Sequence, residues 1–148
     1  MAPTLQEILL TPDARPKVLA DGQTLIDQEV ADKSGASGAA IKLAYKTATS
    51  FAPGYFRRTL DDMLPQIVDK LEPYWADFSA SGGSEFGDYL SKRGPEVSED
   101  LLSLTDHIAA VSQRPAITKA YRAVRGSAAK HVEAALPRVG DLVMRYVG

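Results

Sequence analysis

The chain has 148 residues, of which 45% are hydrophobic and 24% charged, with a net charge of −2 and no cysteine. That balance excludes a disordered chain, and the missing thiols exclude a disulfide framework, a thiolate metal site and a cysteine nucleophile. No run approaches the roughly 18 apolar residues of a membrane span, and the start, Met1-Ala2-Pro3-Thr4-Leu5-Gln6-Glu7, lacks the basic and apolar regions of a secretory leader; the expectation is a cytoplasmic protein with no membrane partner.

In chain order, Thr4 and Glu7 form a capping box for a short helix carrying Leu5, Ile8 and Leu9, ended by Thr11-Pro12-Asp13. Pro16 suits the first turn of a second helix, whose apolar face is Val18, Leu19, Gly22, Leu25, Ile26 and Val30, out to about Lys33. Ser34-Gly35-Ala36-Ser37-Gly38 is a loop that ends this helix and caps the next, which carries Ile41, Ala44, Tyr45 and Ala48 and stops at Pro53-Gly54. The fourth element, a helix or helix pair, bears one stripe through Phe56, Leu60, Leu64, Ile67, Leu71, Tyr74, Trp75 and Phe78. Pro65 and Pro73 interrupt it off the stripe, and each removes a backbone hydrogen bond, so a bend or break is expected there. Residues 79–83, Ser-Ala-Ser-Gly-Gly, read as a linker.

Beyond it, Ser84 caps a short helix with Phe86, Tyr89 and Leu90, ended by Gly94. Pro95 starts a helix with a Val97, Leu101, Leu104, Ile108, Val111 stripe, and Pro115 starts another with Ile117, Tyr121 and Val124. Ala128, Val132, Ala135, Val139, Leu142 and Tyr146 keep one apolar face to the end, with Pro137 opposite.

The second half repeats the first. Leu136 to Val147 echoes Leu64 to Trp75; Ala116 to Arg122 echoes Ala40 to Lys46; Pro95, Val97, Asp100, Leu104, Asp106 and Ala110 echo Pro16, Val18, Asp21, Leu25, Asp27 and Ala31. The offset shrinks from 81 to 79, 76 and 72, and each change falls in an expected loop, where insertions are tolerated. The expected architecture is an all-α helical bundle, one domain over 1–148. It is built from two homologous four-helix repeats, 4–78 and 84–147, related by a pseudo-twofold axis.

Candidate chemistry is sparse. Asp100, Ser103 and His107 share a helix flank, but serine lies between the other two, whereas in a triad histidine does, and Asp100 and His107 stand roughly 10.5 Å apart along the axis. Gly35-Ala36-Ser37-Gly38 resembles the GxxG loop of KH domains, yet the chain has no strand pattern to carry one. His107 and His131 lack ligand spacing, so neither a metal nor a cofactor is expected. Residues 115–148 hold six basic residues against Glu133 and Asp141, a local +4 that leaves −6 for the remainder. Those six scatter around the helical wheel as on a solvated face, which disfavours nucleic acid. The aromatic residues remain: Tyr45, Trp75 and Tyr121 are the candidate ligand-binding residues, placed to line a pocket between the repeats.

Glu29 to Gly35, Leu71 to Asp77, Phe86 to Leu90 and Ala134 to Arg138 resemble the landmarks of a small actinobacterial all-helical family of unknown function. The resemblance covers nearly the whole chain. It implies a stand-alone intracellular protein and assigns no activity and no site. The leading functional expectation is a non-catalytic module that binds a protein partner or forms a homo-oligomer. The alternative is a carrier of a small apolar ligand between the repeats, and the third an enzyme with a site assembled across them.

Overall fold

The hydroxyl of Thr4 accepts the N–H of Glu7 at 3.1 Å and donates to the Glu7 carboxylate, so the expected cap opens helix α1 (Leu5–Leu9). The computed structural model describes residues 3–50 and 54–147. After α1 come α2 (Ala14–Asp32), α3 (Gly35–Ser50), α4 (Tyr55–Ser81), α5 (Phe86–Lys92), α6 (Gly94–Val111) and α7 (Pro115–Arg145). Among the described residues there is no strand, and no helix is long and apolar enough to cross a membrane. The Met1-Ala2 start, the side chain of Ala48 and the stop at Pro53 lie outside the described residues.

Among the described residues the helices number seven, where two four-helix units would have eight. Gly54 sits at φ 76°, a left-handed conformation that only glycine adopts cheaply, and breaks the chain before α4. Its aligned partner Gly126 is helical, with nothing crowding it and no proline before it, so the two expected C-terminal helices fuse into the 31-residue α7. The prolines of α4 likewise fail to split it. Pro65 cannot donate to the carbonyl of Asp61, and the Arg15 guanidinium takes that place with a 3.1 Å bond to the same oxygen. Pro73 is exposed, so the carbonyl it releases faces the solvent side.

Other boundaries shift as well. Gly35 to Gly38 form the first turn of α3, and the loop is only Lys33-Ser34. Helix α4 runs on to Ser81 and turns at Gly82, φ 75°, so the linker begins later than expected. Glu85, not Ser84, precedes α5 and makes no side-chain cap; Gly94 starts α6 instead of ending α5.

Helix α1 lies on α4, with the Gln6 N–H donating to Glu72 Oε1 at 2.9 Å, and α5 lies on α7. Helix α2 packs on α4 and α7, α6 packs on the same two, and α3 rests mainly on α7. Leu5, Val68, Phe86, Leu90, Val97, Leu136 and Val143 are almost wholly buried and, with Val18 of α2, tie six of the helices into one cluster. Each such side chain stabilises the fold by about 1.5–3 kcal/mol.

The tightest contact joins α5 to α7. A Cβ on Gly140 would stand 2.1 Å from the Gly87 backbone nitrogen, a clash no rotamer relieves. Gly140→Ala is therefore expected to lower stability by about 3 kcal/mol or more. Gly126→Ala, with open space around it, should raise stability by about 0.5–1 kcal/mol, because a glycine leaves a helix interior. Urea denaturation of both variants checks this; equal midpoints for Gly140→Ala and wild type would show the close approach to be wrong.

Candidate functional site

Four helices leave a gap where their apolar faces meet. It is a partly enclosed cavity of about 380 Å³ bounded by α2, α4, α6 and α7, with Leu9 of α1 at its edge. From α4 come Phe56, Leu60, Met63, Leu64, Ile67 and Leu71; from α2, Val18, Leu19, Gly22, Leu25 and Ile26. Helix α6 adds Leu101, Leu102 and Thr105, and α7 adds Val132, Val139, Leu142 and Val143. The apolar stripe of α4 is thus divided. Its N-terminal part faces the cavity, while Tyr74, Trp75 and Phe78 enter solid core.

No wall residue is titratable. The two hydroxyls in the wall are already engaged. Thr59 donates to the Tyr55 carbonyl at 2.9 Å, and Thr105 lies 3.0 Å from the Leu102 carbonyl and 2.7 Å from the Tyr121 hydroxyl. Gly22 needs separate explanation. It is a helix-interior glycine without a positive φ, and a Cβ there would meet Leu60 Cδ2 at an ordinary 3.8 Å. The fold does not require glycine at this point, although glycine costs a helix roughly 0.5–1 kcal/mol. What the missing side chain does is leave room in the wall.

None of Tyr45, Trp75 and Tyr121 lines this cavity. Tyr45 and Tyr121 stand one layer behind it. The Tyr45 ring meets the wall residue Phe56 edge-on at 5.2 Å, and its hydroxyl donates to Asp27 and accepts from Gln23 at 2.7 Å. The Tyr121 hydroxyl touches the wall residue Thr105 and donates to Asp106 at 2.6 Å. Trp75 lies elsewhere, its indole N–H bonded to the Pro3 carbonyl at 2.8 Å and its ring set edge-on to Phe86 at 5.1 Å. Many wall residues were visible in the sequence as apolar helix faces, among them Val18, Leu25, Leu60 and Ile67, whereas Thr59, Met63, Val68, Leu102, Thr105 and Val143 lie beside the stripes that periodicity marks. Periodicity carries no signal for where such faces fail to meet.

Three further tyrosines bridge helices: Tyr74 of α4 donates to Asp100 of α6, Tyr89 of α5 donates to Asp77 of α4, and Tyr146, just past α7, donates to Asp21 of α2. Asp100 is thereby the acceptor of a tyrosine, Ser103 donates to the Asp100 carbonyl at 2.6 Å, and His107 stays exposed, so no triad forms. Burial and the adjacent carboxylate push the phenols of Tyr121 and Tyr146 up to about 12 and raise those of Tyr45, Tyr74 and Tyr89 as well. Bonds from Arg125 and Tyr121 hold the Asp106 carboxyl below its ordinary range. His131 is lowered by burial and by nearby Lys33, and its Nε2 is buried without a hydrogen-bond partner.

Of the six basic residues of the C-terminal third, Lys119, Arg122, Lys130 and Arg145 are exposed, while Arg125 and Arg138 are half-buried and paired. Arg125 binds Asp106 at 2.8 Å and Glu99 at 3.3 Å, while Arg138 binds Glu29 at 3.0 Å and Asp32 at 2.7 Å. Among the described residues no three histidine or carboxylate side chains converge in a way that could hold a metal.

The sequence model of a family described as being of unknown function, DUF6918, matches residues 5–147. The chain belongs to that family. No curated protein and no solved structure matches it. The DUF6918 assignment spans all seven helices and every wall of the cavity.

The raised phenols have a definite consequence for stability. A group whose folded pKa lies above its unfolded value stabilises fully below the unfolded value, about 10 for tyrosine, and loses that contribution as pH rises through the folded one. Stability is expected to fall between about pH 10 and the value of about 12 that Tyr121 and Tyr146 share. A Tyr121→Phe, Tyr146→Phe double variant should lose stability less steeply over that window. Urea midpoints against pH test this, and parallel slopes for the two proteins would refute it.

Proposed function

We propose that the protein binds and carries a small apolar molecule in the cavity between α2, α4, α6 and α7. The observation that carries this reading is the size and chemistry of the gap. About 380 Å³ falls within the range of ligand pockets, and its walls are almost wholly hydrocarbon. An apolar occupant would cover this hydrocarbon wall, at a gain of roughly 25 cal/mol for each Å² of apolar surface removed from water. Gly22 supports the same reading, since a larger side chain there would close the space at a gain in helix stability.

We also read the cavity as lying between two copies of one duplicated unit. The tyrosine–aspartate bonds support this. Tyr45–Asp27 and Tyr121–Asp106 pair residues aligned between the halves, each bond within its own half. Tyr74–Asp100 and Tyr146–Asp21 also pair aligned residues, but each crosses to the other half, as exchange about a twofold axis requires. Aligned positions face the cavity too: Gly22 and Leu101, Leu60 and Val132, Ile67 and Val139. In this reading Tyr45 and Tyr121 brace matching stretches of wall from behind, and Trp75 secures the N-terminal segment.

The self-association reading has less support. Among the described residues the exposed large hydrophobic side chains are Leu43, at 67%, and Val111, at 63%, on different helices. Scattered residues of that kind are ordinary surface. Catalysis in the cavity would need an acid, base or free nucleophile that its walls do not offer.

Titration with N-phenyl-1-naphthylamine, an apolar dye that brightens away from water, tests the proposal. Saturable binding is expected for wild type, with at least a tenfold loss in Gly22→Leu, which places there the residue found at Leu101. The same variant should melt at a higher temperature, because it fills space. Undiminished dye binding by Gly22→Leu, or none by wild type, would defeat the proposal.

A further inference from the structure

We infer that the ligand is an extended hydrocarbon chain, alkyl or isoprenoid, of about fifteen carbons with no polar atom in its buried part; this rests on the cavity being the binding site. Shape gives the first argument. Phe56 and Leu71 both line the cavity and are fifteen residues apart on α4, about 22 Å along the axis. A sphere of the cavity's volume of about 380 Å³ would be only about 9 Å across, less than half of that span, so the space is drawn out along α4. The apolar cavity of about 150 Å³ that takes up benzene is compact by comparison. One chain fits such a bore better than fused rings do.

Size and wall chemistry give the rest. The volume is about two and a half times that of the benzene cavity, which sets the occupant at about fifteen carbons. The wall presents no charged group, and the Thr59 and Thr105 hydroxyls are bonded within the protein. A buried ligand hydroxyl or carbonyl would find no donor set to replace its water, which is unfavourable. A polar head therefore stays outside the bore and contributes little to recognition. Met63, an adaptable side chain in the wall, suits a ligand that differs in branching.

The test is a length series of n-alkanols, from about eight to about sixteen carbons, presented from cyclodextrin to the full chain and followed by thermal shift and native mass spectrometry. Affinity should rise about fourfold per added methylene, the step expected for full burial, and level off near fifteen carbons. Pyrene, a compact fused-ring hydrocarbon of similar carbon count, should bind at least tenfold more weakly than the matching alkanol. Equal binding of pyrene, or affinity independent of chain length, overturns the chain assignment and leaves the cavity reading standing. If neither chains nor rings bind, and Gly22→Leu changes nothing, both fall together.

Discussion

The continuity of α7 is the constraint on which the rest of the structure depends. Its 31 residues make a rod of about 46 Å that touches α2, α3, α5 and α6. Because Gly126 remains helical, the orientation of its N-terminal half fixes that of its C-terminal half. The tyrosine–aspartate pair to α6 at one end and the pair to α2 at the other are held at a set separation. In the first half of the chain α3 and α4 are separate helices, with Gly54 at φ 76° before α4, and are free of that restriction. The two halves consequently differ in shape, and the cavity draws more of its wall from the first.

Polar groups inside the bundle follow one pattern. Each of the helix-bridging tyrosines Tyr45, Tyr74, Tyr121 and Tyr146 buries most of its ring and donates a hydrogen bond to a carboxylate at the rim, which satisfies a hydroxyl that would otherwise be costly to bury. Arginines of α7 complete the same carboxylates or their neighbours. Part of the uneven charge of the sequence is paired within the fold, where Asp106 of α6 and Glu29 and Asp32 of α2 meet Arg125 and Arg138 of α7. The cavity itself is left with no charged group and no free hydroxyl proton.

The sequence made the helical faces legible and left their meeting places hidden. The stripe from Phe56 to Phe78 was readable because period and burial agree along α4, yet its first five residues line a void and its last three enter solid core. Periodicity records which side of a helix is apolar, and the distance to the opposing helix depends on side chains far away in the chain. Gly54 and Gly126 make the same point for boundaries. One residue type breaks a helix in the first case and continues it in the second, and the neighbours decide. Pro65 was expected to bend or break α4; the Arg15 contact that answers its lost hydrogen bond comes from a residue fifty positions earlier and has no local signature.

The placement of Trp75 turns the protein into its own optical gauge. The single indole is lodged among Phe78 and Phe86 and bonded to the carbonyl of Pro3, one helical turn beyond the last α4 residue in the cavity wall, Leu71. Its emission is therefore placed to follow the undocking of the chain's first residues and of α5 from α4.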